Sequence, residues 1–160
     1  MFIVNFLALY NALIRATDGV ISAIDMMLHD YGPDRYSGSV NIEIDHKRSI
    51  GEVYEEIHRL QLRIMEEYHV TMVFGIYAVD EDTAAIVDIR RYIGKFVRVN
   101  EHVKSFHALY LSKETGTLYC DLIVDYALRD WEELRESFVE YMKKQYPEYE
   151  ISLTIETEFV

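Results

Sequence analysis

The spacing of apolar residues changes several times along the chain, and each change marks an element. The opening "MFIVNFLALYNALI" is apolar nearly all round, broken by Asn5 and Asn11. It predicts a buried helix over about Phe2–Ala16, one that needs cover from a second surface. Strand-like runs follow at Val20–His29 and Ser39–Asp45, joined by a turn through Gly32-Pro33. In "SIGEVYEEIHRLQLRI" the residues Ile50, Val53, Ile57, Leu60 and Ile64 recur every three or four positions, which makes them one core-facing helical stripe. Ser49 caps that helix, and Glu52 three residues on completes a capping box. A third strand runs through Val70–Val79.

The same order then comes round again. "DTAAIVDIRRYIGKFV" is a helix with Ile86, Ile89, Ile93 and Phe96 on one face. "VKSFHALYL" and "TLYCDLIVDY" are strands joined by "SKETG", where Gly116 suits a hairpin turn. Asp130 caps the next helix, with Glu133 three positions later and a stripe of Leu134, Phe138 and Tyr141. Pro147 stops it, and "YEISLTIETEF" is the closing strand. The pattern is helix-strand-strand-helix-strand, twice. Ser49 corresponds to Asp130, and Val20 to Val103. The expected fold class is therefore α+β, two ferredoxin-like αββαβ units over 1–80 and 81–160. Each would be a three-stranded mixed sheet with two helices on one face.

Composition narrows the class of partner. Half of the 160 residues are apolar, with 7 Phe and 13 Tyr, enough for a packed core. The net charge of −12 is shared between the halves, 6 basic and 12 acidic side chains in the first and 10 and 16 in the second. With no basic stripe, nucleic acid and anionic membrane surfaces are excluded as partners. Cys120 is the single cysteine, so no internal disulfide forms and a reducing, cytoplasmic setting is expected. The apolar opening has 14 residues, short of the roughly 20 that cross a bilayer, and it lacks the basic leader of a signal peptide. With that helix directly after Met1, a free-standing protein is favoured over a fragment.

Chemistry-bearing patterns are sparse. The chain has no Gly-rich phosphate loop, no nucleophile elbow and no His-Glu-x-x-His. Glu55/Glu56 and Glu66/Glu67 are helix neighbours that point apart. His46, His58 and His69 read as surface or turn residues, and His102 and His107 face different ways. No enzymatic activity is expected. "LHDYGPDRYSGSVNIEID" gathers His29, Asp30 and Asp34 around a turn, where the two aspartates bond to nearby backbone. Tyr10, Tyr54, Tyr77, Tyr119 and Tyr126 suit an interface or the lining of a small-molecule pocket.

The runs "GVISAIDMMLHDYGP", "SVNIEID" and "SIGEVYEEIHRLQLRI" resemble the cytosolic C-terminal domain of cation diffusion facilitator (cation efflux) transporters over Gly19 to about Asp80. The second half resembles a diverged copy. The resemblance implies a cytosolic regulatory domain that dimerises and binds a divalent cation. Its usual metal positions fall in the first unit on Ile24, Asn41, Tyr54, Gly75 and Tyr77, none of which supplies an imidazole or carboxylate. In the second unit they fall on His107, Ile123, Glu156 and Glu158. His107, Glu156 and Glu158, a histidine and two carboxylates on adjacent strands, can hold zinc, manganese or iron with water completing the shell. The plain alternative is an edge strand with its acidic side chains in solvent. The expected function is thus a non-enzymatic regulatory and dimerisation module, a homodimer with a membrane cation transporter as a possible partner. Its alternative is a stand-alone ferredoxin-like domain that senses a small ligand.

Overall fold

The computed structural model describes residues 19–33, 35–80 and 83–157. The expected helix at Phe2–Ala16, together with Tyr10, Asp34 and Glu158, lies outside them. The fold is α+β, with two three-stranded mixed sheets and three helices among the described residues. The chain divides into two compact units, one ending at Ala78 and the other starting at Val79.

In the first unit β1 (Val20–Asp30) and β2 (Tyr36–Asp45) form an antiparallel pair, α1 (Ile50–Tyr68) follows, and β3 (Val70–Val79) lies on the far side of β2. At the hairpin turn, Asp30 Oδ1 accepts the Gly32 N–H at 2.8 Å, as expected of an aspartate there. β2 begins earlier than Ser39, because the ladder continues to Tyr36, which faces Asp30. The capping box forms in full: Ser49 Oγ accepts from Glu52 N, and Glu52 Oε2 accepts from Ser49 N at 3.0 Å. Val53, Ile57, Leu60 and Ile64 are buried against Val40, Ile42, Ile44 and Met72. Ile50 departs from the expected stripe and is 75% exposed. It is the first helical residue, and 100° per residue carries it to the flank of that stripe.

The second unit is α2 (Ala84–Val99), β4 (Val103–Ser112), β5 (Thr117–Val124), α3 (Trp131–Gln145) and β6 (Glu150–Thr157). β5 is central, antiparallel to β4 and parallel to β6. Ile86, Ile89, Ile93 and Phe96 of α2 share one core with Leu134, Phe138 and Met142 of α3. Leu118, Cys120, Leu122 and Val124 of β5 complete it, so both helices cover the same sheet face. Met142, not the expected Tyr141, takes the last fully buried place on α3. Tyr141 is held half-buried because its hydroxyl donates to the Tyr92 carbonyl at 3.0 Å. Gly116, at φ 67, makes the β4–β5 turn in a conformation that a side chain would strain.

The two sheets share an irregularity. The β1–β2 register shifts between Val20 and Ser22 and again between Ile24 and Met27. The β4–β5 register shifts between Val103 and Ser105 and between His107 and Tyr110. Asp25 and Ala108, the residues inside the second shift, both have φ 53, a left-handed conformation that is uncommon without glycine. After the second strand of each pair, Asp45 Oδ1 accepts from Lys47 N at 2.8 Å and Asp125 Oδ1 from Ala127 N at 3.0 Å.

Candidate functional site

Strand alternation decides which side chains of the second sheet lie away from its helices. Leu118, Cys120, Leu122 and Val124 face the core, so Tyr119, Asp121 and Ile123 face the opposite side. Paired residues share a face, and the register therefore lays out rows across the three strands. His107, Asp121 and Thr154 make one row; Ser105, Ile123 and Glu156 make the next. His107 is half-buried, with its Nε2 at 3.1 Å from Ser105 Oγ. The result is a polar group of Ser105, His107, Asp121, Thr154 and Glu156 on an otherwise regular sheet face.

The strand order and register place the expected ligands differently. His107 and Glu156 are not on adjacent strands: β5 separates them, a gap of about 9.5 Å in strand spacing. The residue directly across from His107 is Asp121, and Ile123, two positions on along β5, stands across from Ser105. Opposite Asp121 on the last strand stands Thr154, with Glu156 one row further on. Glu158 lies outside the described residues. Among those residues, no group of three or more His, Cys, Asp or Glu side chains is placed to hold a metal ion. What the face offers is one imidazole and one carboxylate on adjacent strands, with hydroxyls of Ser105 and Thr154 in the same rows.

The matching rows of the first unit carry different chemistry. Ile24 stands where His107 does, and its cross-strand neighbour is Asn41. The Asn41 amide donates to Asp25 Oδ2 at 3.2 Å. A Cβ on Gly75 would collide with the Asn41 side-chain oxygen, so a side chain there would displace the Asn41 amide. In the next row Ser22 Oγ donates to the buried Glu43 carboxylate at 2.6 Å. These polar groups bond to one another, and the imidazole on this face, His29, lies two rows beyond Asn41, across from Ser37.

Two other histidines, His102 and His58, contact neighbouring side chains. His102 Nδ1 lies 3.0 Å from Asp125 Oδ1, and Lys104 Nζ lies 3.0 Å from Asp125 Oδ2. The Lys104 ammonium, then the Ala127 N–H and His102, hold the Asp125 carboxyl below the usual carboxylate range. That cluster pins the loop after β5. His58 stacks on Tyr54 with ring centroids 6.0 Å apart, on the exposed side of α1.

A second feature escaped the sequence reading. Ala85, Asp88, Arg91, Tyr92 and Lys95 of α2, with Gln145 and Tyr146, line an open groove of about 360 Å³. Its floor is aromatic: Tyr92 stacks on Tyr141 at 4.2 Å and meets Tyr146 edge-on at 5.6 Å. Burial, then the nearby Asp88 charge, push the Tyr146 phenol above the usual tyrosine value. The spacing of Asp88, Arg91, Tyr92 and Lys95 along one helical flank was the available signal. Of the described tyrosines singled out from sequence, Tyr54, Tyr119 and Tyr126 are exposed, and none lines this groove. Among the described residues no helix is long and apolar enough to cross a membrane. No protein-family model matches the chain, and no curated protein matches it.

Proposed function

We propose that the chain is a non-enzymatic regulatory module made of two copies of one ferredoxin-like αββαβ unit, related to the cytosolic domain of divalent-cation efflux transporters. Its partners would be a second copy of itself and a membrane cation transporter. The second unit keeps a weak cation position at His107 and Asp121, and the first unit has lost it. The observation behind this reading is the shared bulge: corresponding backbone geometry carries His107 across from Asp121 in one unit and Ile24 across from Asn41 in the other. A bulge re-aims side chains and is a feature a duplicated strand would inherit.

Thermal unfolding in the presence of zinc, manganese or ferrous iron tests the cation position. A saturable rise in Tm is expected, lost in His107→Ala and Asp121→Ala, smaller in Glu156→Ala and unchanged in Asn41→Ala. No response to any of the three ions would remove the cation role. The α2–α3 groove favours a second reading, a small-ligand sensor with an aromatic floor and the charges of Asp88, Arg91 and Lys95 at its rim. Shifts of Tyr92 and Tyr146 signals in a metabolite screen, with no cation added, would support that reading instead.

A further inference from the structure

We infer that the groove between α2 and the end of α3 binds a planar aromatic ring carrying one anionic group, a carboxylate or a phosphate ester. This rests on the small-ligand reading of that groove and adds the class of ligand. Tyr92 and Tyr146 both line the groove, and their rings stand at 88° to each other. Such a corner gives an entering ring a stacked contact on one tyrosine and an edge-to-face contact on the other. Those are the two arrangements that aromatic pairs prefer. The corner is already set. Tyr92 stacks on Tyr141, the Tyr92 hydroxyl donates to the Tyr141 carbonyl at 3.3 Å, and the Tyr141 hydroxyl donates to the Tyr92 carbonyl at 3.0 Å. A site ordered beforehand loses little affinity to immobilising its own side chains.

Charge selects the other part of the ligand. α2 carries Arg90, Arg91, Lys95 and Arg98 against the single carboxylate of Asp88, whereas α1 and α3 each carry more acidic than basic side chains. The net charge of −12 does not decide the matter, because physiological salt confines the reach of a charge to about 8 Å. Arg91 lies 3.4 Å from Asp88, but the two side chains are 67% and 64% exposed, and so open a pair leaves the guanidinium free to turn to a ligand. The Lys95 ammonium and the Gln145 amide make no hydrogen bond or ion pair among the described residues. An anion uses all of these donors.

An organic cation would also suit an aromatic corner, but here Arg91 and Lys95 repel it and Asp88 is already paired. The helix dipoles offset one another, since Ala85 brings the positive end of α2 to the groove and Gln145 the negative end of α3. At about 360 Å³ the groove is near the small end of the roughly 300–1,000 Å³ of ligand pockets. That suits one ring system with a short charged arm.

The test follows magnetic-resonance signals of the whole chain with isotope-labelled tyrosine rings, Tyr92 and Tyr146 being assigned through Tyr92→Phe and Tyr146→Phe. The probes are two matched pairs, benzoate against benzyl alcohol and adenosine monophosphate against adenosine. In at least one pair the anion should shift Tyr92 and Tyr146 saturably, with a Kd about tenfold below that of its neutral match. Which pair responds tells a carboxylate from a phosphate ester. Lys95→Met and Arg91→Met should each weaken that binding about tenfold, while Lys113→Met, in the β4–β5 turn, should leave it unchanged. All three side chains are exposed, and circular dichroism checks that the fold is kept. A neutral probe that binds as tightly as its anion, or binding indifferent to both Lys95→Met and Arg91→Met, would overturn the ligand class and leave the small-ligand reading standing. Silence of both tyrosines toward all four probes would overturn the inference as well, and the small-ligand reading falls with it only if the wider metabolite screen is silent too.

Discussion

Two sheets with the same bulges use them differently. In the first, Asp25 occupies the left-handed position and its carboxylate accepts from Asn41, while Ser22 donates to Glu43. In the second, Ala108 occupies that position and has no polar side chain to offer, so Ser105 turns to His107 instead. Backbone geometry places the rows, and the side chains decide whether a row closes on itself or presents lone pairs. The helical layers differ as well. α3 turns charge toward its sheet edge through Arg135 and Lys143, whereas α1 reaches β3 through the neutral Gln61 amide.

The largest way to break the comparison is through the cores. Phe138 is fully buried and meets Phe96 edge-on with centroids 5.1 Å apart. Phe138→Ala should cost about 3–5 kcal/mol in the second unit. Trp131, the chain's one tryptophan, starts α3 and reports that loss directly in urea unfolding followed by fluorescence. Ile57→Ala, at the corresponding place on α1, should cost about 2–5 kcal/mol and show in circular dichroism. A loss under about 1 kcal/mol for Phe138→Ala would mean that α3 is not seated as described.

These core residues were legible in the sequence because helical periodicity depends only on spacing, and Val53, Ile57, Leu60, Ile64, Ile86, Ile89, Ile93 and Phe96 all proved buried. Ser49 and Asp130 were legible for the same local reason, each cap acting three residues along its own helix. Asp121 was not. Its place opposite His107 depends on a bulge at Ala108, and an alanine gives no sign that it adopts a positive φ. The resemblance pointed instead to Ile123, two residues on along the same face of β5, which stands across from Ser105. The groove over Tyr92 and Tyr146 was hidden too, since it depends on how α2 and α3 lie together.

A smaller difference lies just before the caps. Arg48 grips Glu56 with both guanidinium nitrogens, at 2.8 and 2.6 Å, and both side chains are largely buried. Arg129 precedes Asp130 in the same way, but the position matching Glu56 is Ser137. The Arg48 hydrogen bond holds the Glu56 carboxyl below the usual glutamate value. A depressed folded value stabilises above the unfolded one and is lost as pH falls through it. Glu56→Gln should therefore cost about 1 kcal/mol at neutral pH. The gap from wild type should close as the solution is acidified below about pH 4.3. A gap that widens in acid would contradict the pairing. Tyr141→Phe, which deletes the hydroxyl bond to the Tyr92 carbonyl, should cost a similar amount of about 1 kcal/mol.

The smallest effect is the sharpest probe of the shared bulge. An L-residue in the left-handed region costs about 1–2 kcal/mol, and glycine relieves that strain while adding about 0.5–1 kcal/mol of chain entropy to the unfolded state. At Ala108 the methyl group makes no hydrogen bond, and the loss of its buried contacts offsets only part of the relieved strain. Ala108→Gly should thus be neutral or stabilising by up to about 1 kcal/mol. At Asp25 the same substitution also removes the acceptor for Asn41, and aspartate tolerates the left-handed region better than alanine. Asp25→Gly should lose stability where Ala108→Gly does not. Equilibrium unfolding of the two variants side by side measures the difference. Equal and unfavourable changes at both positions would show that neither residue holds the left-handed conformation, and the common bulge would go with it.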